Sequence, residues 1–290
     1  MAIPEGLSTT PFAPRYADRV EEWIDVYGNA VPLAIGDPAE EYEAIRTAVG
    51  AAEYSMLYKW HVEGVEAVAT VDAVFSRSVK GLGAGRIAYG VVVDDDGMML
   101  DDVTVAVLAP DHVVVTGGNP ATQQSLTAHT PAGTTVTERR DESAVLTLQG
   151  PRSRDVLQRL THVDVSNAAF PYYTFLRDAL IAGIPAQVSR LGFTAELGYE
   201  IQVPRERALE LWDAVFEAGA DLGIKAFGAI ALLTCRTEAG MIMGELLARV
   251  HRDAVKSGTA LTAVATDGSK ADATVRPTPV YNPERARVRS

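Results

Sequence analysis

Cysteine is nearly absent from this chain: Cys235 stands alone among 290 residues. An internal disulfide and any multi-cysteine metal site are therefore excluded. Histidine is sparse too. His61, His112, His129, His162 and His251 form no close H-x-H or H-x-x-x-H pair, so spacing predicts no metal centre. Basic residues are outnumbered, 26 Lys and Arg against 38 Asp and Glu, for a formal charge of −12. That balance argues against nucleic acid as a partner, whose backbone calls for a basic face. A small anionic ligand held by local arginines stays open. No apolar run approaches the ~20 residues of a membrane span. The opening "MAIPEGLSTTPFAPRYADRVEEW" has neither the basic head nor the apolar stretch of a secretory signal. The expectation is a cytoplasmic protein with no membrane contact.

What the chain does have is two cycles of mixed structure. "PAEEYEAIRTAVGAAEYS" predicts a helix started by Pro38 and stopped by Gly50, with Tyr42, Ile45 and Val49 on one face. "KWHVEGVEAVATVDAVFSRS" reads as a short strand, a turn at Gly64 and a helix from about Ala67. "RIAYGVVVDDDGMMLDDVTVAVLAPDHVVVTGG" reads as three strands of an antiparallel meander. After the charged break "TERRDES" the order repeats. "AVLTLQ" is a strand, "GPRSRDVLQRLT" a helix opening at Pro151, and "ALIAGIPAQVSRLGFTAELGYEIQVP" two more strands. "RERALELWDAVFEAGADLG" and "FGAIALLTCRTEAGMIMG" follow as helices. The fold class is α+β with antiparallel sheets. The last ~40 residues show little periodicity and read as an appendage on the core.

One strand raises a chemical question. In "GMMLDDVTVAVLAP", residues 97–110, two carboxylates interrupt an apolar run. Asp is depleted in strands and costly to bury charged. Side-chain alternation sends Asp101 and Asp102 to opposite faces. Taken alone, the pair reads as solvated.

Other motifs are weaker. "GLGAGR", residues 81–86, lacks both the strand-to-helix context of a dinucleotide loop and the lysine of a phosphate loop, and reads as a flexible turn. Cys235 in "LLTCRTEAG" has no histidine nearby and reads as a small buried hydrophobe. In "SRLGFTAELGYEIQVP", Glu196 and Glu200 lie four apart among glycines. A bend could aim one or both at a cavity; a polar turn and a solvated strand face explain them as well.

Taken in order, these segments resemble the glycine-cleavage T-protein superfamily, the tetrahydrofolate-dependent aminomethyltransferases and their demethylase relatives. "EYEAIRTAVGAAEYS" is similar to the family's first helix and turn, and "GRIAYGVVVDDDGMMLDDVTV" to its tyrosine- and DD-bearing hairpin. "LTLQGPRSRDVL", "YYTFLRDALIAGIPAQVSRLGFTAELGYEIQVP" and "LLTCRTEAGMIMGEL" carry the resemblance on to about residue 247. It implies two intertwined α+β subdomains around a central folate cavity, residues 1–247. A shortened segment, 248–290, would stand where a C-terminal β-barrel domain normally follows. "TPVYNPERARVR" resembles the closing strand of demethylase-type members.

Residue by residue, the resemblance makes Asp102 the inward, catalytic carboxylate and Asp101 the outward one. It places Glu200 on the pterin amino edge, Tyr89 on the cavity wall and Gly117 in the pterin-lining segment. Arg190 and Arg236 are further candidates for anchoring anionic groups. Tetrahydrofolate is the implied cofactor and a small methyl donor the implied partner. Leu232, Phe193 and Ala195 depart from the T-protein pattern, and Leu232 resembles the demethylase branch. The implied function is one-carbon transfer, foremost demethylation of a small N-, O- or S-methyl substrate. Two alternatives stay open: a relative that has lost folate and performs another acid/base step, and a non-catalytic folate-binding accessory protein. The oligomeric state is not legible.

Overall fold

The computed structural model describes residues 2–94, 96–241, 256–264, 270–274, 281–282 and 284–290. In chain order its elements begin with strands β1 (Trp23–Val26) and β2 (Asn29–Pro32), helix α1 (Pro38–Thr47), β3 (Val49–Glu53), β4 (Tyr58–Gly64) and α2 (Ala67–Val74). Next come β5 (Ile87–Val93), β6 (Met99–Ala109), β7 (His112–Gly117), α3 (Ala121–Ala128) and β8 (Thr134–Glu138). The second cycle has β9 (Ser143–Gln149), α4 (Ser153–Leu160), β10 (Phe175–Ile181), β11 (Ile184–Ser189), β12 (Gly198–Pro204), α5 (Ala208–Gly219), β13 (Ile224–Ala226) and α6 (Ala229–Glu238). A hairpin of β14 (Ala260–Val264) and β15 (Lys270–Thr274) follows.

Two sheets form the body. The five-stranded sheet, in order β5-β6-β7-β4-β8, is antiparallel throughout. The six-stranded sheet runs β10-β11-β12-β9-β3-β13, with one parallel pair, β13 beside β3. Alternation gives each sheet one apolar face. Val103, Val105 and Val107 of β6 join Val113 and Val115 of β7 and pack under Val71, Val74 and Leu126 of α2 and α3. On the larger sheet, Leu146, Leu148, Tyr199 and Ile201 pack under Val156 and Leu157 of α4 and Leu211, Trp212 and Val215 of α5. The opposite, more polar faces of both sheets line a common cleft. Among the described residues, no helix is long and apolar enough to cross a membrane.

Three local expectations change. Helix α1 starts at Pro38, capped by Asp37, whose carboxylate accepts from the amides of Ala39 (2.8 Å) and Glu40 (3.4 Å), but it ends at Thr47, before Gly50. The following "VGAAE" is strand β3, fully buried between β9 and β13. Alanine and glycine are poor strand formers, so tertiary pairing overrides local propensity there. The stretch from Phe175 to Pro204 forms three strands rather than two, because Ala179–Ile181 ends β10 and turns at Ala182–Gly183 into β11.

The C-terminal segment also differs. The described residues of "TPVYNPERARVR" make a bend at Tyr281 and a 3-10 turn at Arg287–Arg289, with no strand among them; residues 278–280 and 283 lie outside the described residues. Tyr281 donates to Glu196 at 2.6 Å, and Arg287 pairs with the same carboxylate at 2.6 Å. The boundary expected near residue 247 lies outside the described residues.

Candidate functional site

The cleft takes its walls from the inward faces of β4 to β7 on one side and β9, β11 and β12 on the other. Lys59, Thr104 and Thr116 face Gln187, Ser189, Glu200 and Gln202 across it, with Ile87, Ala106, Val114 and Val145 as apolar floor. Its unfilled space, mouth included, is about 530 Å³. The pattern of β12 explains why Glu200 points inward. Tyr199, Ile201 and Val203 bury against the helices, so Glu200 and Gln202 must take the other face, and that face meets a second sheet instead of water.

The same rule places Asp102. It shares the cleft-side face of β6 with Thr104 and Ala106, while Asp101 shares the helix-side face with Val103. Tyr89 on β5 stands opposite Thr104, which makes it the diagonal neighbour of Asp102. Its hydroxyl donates to Asp102 Oδ2 at 2.9 Å. Burial raises the Asp102 carboxyl to about 6; the Tyr89 hydrogen bond opposes the rise, the neighbouring Asp101 charge adds to it, and Arg236 on α6 opposes it. Arg236 is buried and within electrostatic reach of Asp102 and Tyr89. Its guanidinium also donates to the Met241 carbonyl at 3.2 Å.

Glu200 shares the cleft with a buried cation within electrostatic reach, Lys59. Lys59 is 3% exposed, donates to the Leu57 carbonyl at 3.1 Å, and is drawn down to about 8 by burial, against the pull of Glu200 and Glu53. Burial raises Glu200 to about 7, with the Lys59 charge opposing it. Two groups of opposite sign, both titrating near neutrality, thus share one enclosed space. Sequence reading missed Lys59. Its signal was a lysine inside the strand "YKWHV", flanked by residues that bury on the helix side.

Three expected residues stand elsewhere. Asp101 is not outward: it is 7% exposed and accepts hydrogen bonds from the amides of Gly118 (3.1 Å) and Asn119 (3.0 Å) and the Thr122 hydroxyl (2.9 Å). It ties the end of β7 to the start of α3. The helix layer covers the face that alternation assigned to solvent. Gly117 faces the same way. An added Cβ would strike the Asp101 carboxylate and lie 2.7 Å from Val103, while its neighbour Thr116 faces the cleft. Arg190, 1% exposed, points to the far side of the larger sheet, donating to the carbonyls of Phe170 (2.5 Å) and Ser290 (3.3 Å). It braces the loop before β10 rather than the cleft.

Glu196 is likewise withdrawn from the cleft. It bridges Arg46 (3.0 Å) and Arg287 (2.6 Å) and receives the Tyr281 hydroxyl. Cys235 is buried beside Ile45 and Phe227, with its thiol pushed up to about 12 by burial. That is an inert packing residue. Leu232 packs against the same cluster.

Comparison with known proteins gives this architecture relatives. The family model of the GCVT N-terminal domain matches residues 21–252. An aminomethyltransferase of Anoxybacillus flavithermus is 34% identical over 247 residues, covering 84% of this chain and 67% of that protein. One of Bacillus cereus is 33% identical over 236 residues, covering 80% and 64%. The chain therefore spans about two thirds of the length of the curated relatives it matches. The glycine cleavage system aminomethyltransferase T from Bartonella henselae superposes with a TM-score of 0.70 at 22% identity, over 82% of this chain and 64% of that one. A chain of the heterotetrameric sarcosine oxidase from Corynebacterium sp. U-96 superposes with a TM-score of 0.51 at 17% identity, over 74% and 95%. These last two likenesses speak to the fold. A family match across most of the chain, with curated relatives at a third identity over the same span, agrees with the two-sheet body and its cleft: the chain belongs to the GCVT N-terminal domain family, that of the aminomethyltransferase T-proteins.

Proposed function

We propose that this protein is a tetrahydrofolate-dependent one-carbon transferase, acting in the cytoplasm and demethylating a small N-, O- or S-methyl substrate. The observation that carries the reading is the carboxylate Asp102, held by Tyr89 on the cleft-side face of the smaller sheet in sight of Arg236. Family membership and the aminomethyltransferase relatives support the folate partner. The residues fit it as well. Glu200 directs a carboxyl, acceptor-only when ionised, into the cleft with no hydrogen bond to it among the described residues, and Thr104, Thr116, Gln187, Ser189 and Gln202 supply further donors and acceptors. Glu200 would take the amino edge of the pterin; once bound, the folate supplies a nitrogen that accepts the carbon unit. Asp102 has a carboxyl near the operating pH, so it can stabilise cationic character at the reacting centre or take a proton. Tyr89 holds it in place, and the covering sheets limit water.

The folate-free alternative draws on one observation: Lys59 already supplies Glu200 with a positive partner inside the cleft. Anaerobic calorimetric titration with tetrahydrofolate separates the readings. Micromolar or tighter binding that Glu200→Ala weakens, with Asp102→Asn still binding but unable to turn over methylated substrates, supports the transferase. No saturable heat would discard it in favour of a different small molecule.

A further inference from the structure

The smaller sheet carries a second cluster that the one-carbon reading does not use. On β4, His61 and Glu63 are two residues apart and so share a face, the same cleft-side face as Lys59. Strand β7 places His112 directly opposite Glu63. Residues 51 positions apart in sequence thus meet: His61 Nδ1 lies 2.9 Å from His112 Nε2, and His112 Nε2 lies 3.7 Å from Glu63 Oε1. One ligand atom from each of the three falls within 4.8 Å of the others.

We propose that His61, His112 and Glu63 form a binding site for a divalent transition-metal ion of the zinc class, with water completing the coordination. Metal-nitrogen bonds of ~2.0–2.1 Å at angles from square to tetrahedral require donor atoms roughly 2.9–3.4 Å apart. The two imidazole nitrogens already have that separation; Glu63 Oε1, 3.7 Å from His112 Nε2, and the His61 ligand atom lie within 4.8 Å of each other, so the carboxylate draws in to complete the set. All three ligands stand on paired strands rather than loops, so little order has to be gained on binding.

The surroundings select the ion. Glu63 Oε2 is held by Arg139 at 2.5 Å, which leaves Oε1 as the ligand atom and orients it through an outer partner. One carboxylate beside a guanidinium is a poor site for calcium or magnesium, which want six or more oxygens. Two imidazoles and one oxygen suit zinc. Exposure of about a quarter to a third at His112 and Glu63 gives an ion a way in.

The test is calorimetric titration of the chelator-treated full chain with zinc chloride in a non-coordinating buffer near pH 7.5. The expected result is one ion per chain at micromolar or tighter affinity. His61→Ala and His112→Ala should each weaken it by at least about tenfold, and His129→Ala should leave it unchanged. Circular dichroism melts of the variants report whether they fold. A cobalt-loaded wild-type chain gives an answer independent of any variant: a four-coordinate nitrogen and oxygen ligand field in the visible spectrum is expected. Absence of one-to-one zinc binding, binding retained by the His61→Ala/His112→Ala double variant, or a six-coordinate all-oxygen cobalt spectrum would each overturn the proposal.

Discussion

Tyr89 donates to Asp102 across a diagonal of β5 and β6, 2.9 Å from hydroxyl to carboxylate oxygen, so the group proposed for chemistry is positioned by the neighbouring strand and not by its own. A register irregularity between Val92 and Val93 sits just beyond this pair. The extra residue, Leu100, has its carbonyl held by the Asn119 side chain at 2.7 Å. Irregularities of this kind re-aim side chains near functional sites.

The relationship predicts a pH signature. Asp102 titrates at about 6 because burial outweighs the Tyr89 hydrogen bond, so the acid limb of kcat/KM should have its midpoint there. Tyr89→Phe removes a donor that favours the ionised form, and the limb should move up by about one pH unit. An unmoved limb would separate Tyr89 from the charge state of Asp102.

The two aspartates should part in denaturation experiments. Asp101→Asn exchanges an acceptor for an amide opposite two backbone donors and should cost about 2 kcal/mol in urea unfolding at pH 7. Asp102→Asn should leave stability unchanged or slightly raised. Its native carboxyl titrates above the unfolded value of 3.8, so its contribution to stability is complete below that value and is lost as pH rises through about 6. Equal losses from both variants would contradict the separate roles.

Lys59 and Glu200 should titrate as a linked pair. Lys59→Met removes the cation that opposes the rise of Glu200, so the Glu200 carboxyl should move further above about 7. Glu200→Gln removes an anion that supports protonated Lys59, so Lys59 should fall below about 8. Carbon-13 shifts of the Glu200 carboxyl and of the dimethylated Lys59 amine, followed with pH, read both. A Glu200 midpoint that ignores Lys59 would break the link.

Ala195 has a φ of 65°, in the left-handed region, and its carbonyl accepts from Asn282. An alanine there costs roughly 1–2 kcal/mol, and glycine's extra entropy returns about half. Ala195→Gly should therefore raise stability by roughly 0.5–1 kcal/mol, seen as a higher Tm. A lower Tm would show that the alanine methyl contributes packing that outweighs the strain.

Much of this was readable from the chain. Apolar runs bounded by turn residues located β5 to β7 and β9, and the amphipathic pattern located α5, because run length and spacing are local information. Strand β3 escaped because "VGAAE" has no strand propensity of its own and is a strand only between β9 and β13. The role of Glu196 escaped because its partners, Arg46 and Arg287, lie 150 and 91 residues away. His61 and His112 looked unrelated because the pairing of β4 with β7 makes them neighbours.

By itself, the sequence determined that Asp101 and Asp102 take opposite faces of one strand, since side-chain alternation is a property of the backbone. Only the tertiary structure decided what each face meets. Helices α2 and α3 close over the side of Asp101 and make it a structural acceptor. The two sheets face each other across the sides that carry Asp102 and Glu200 and make a cleft where charges are costly and pKa values move.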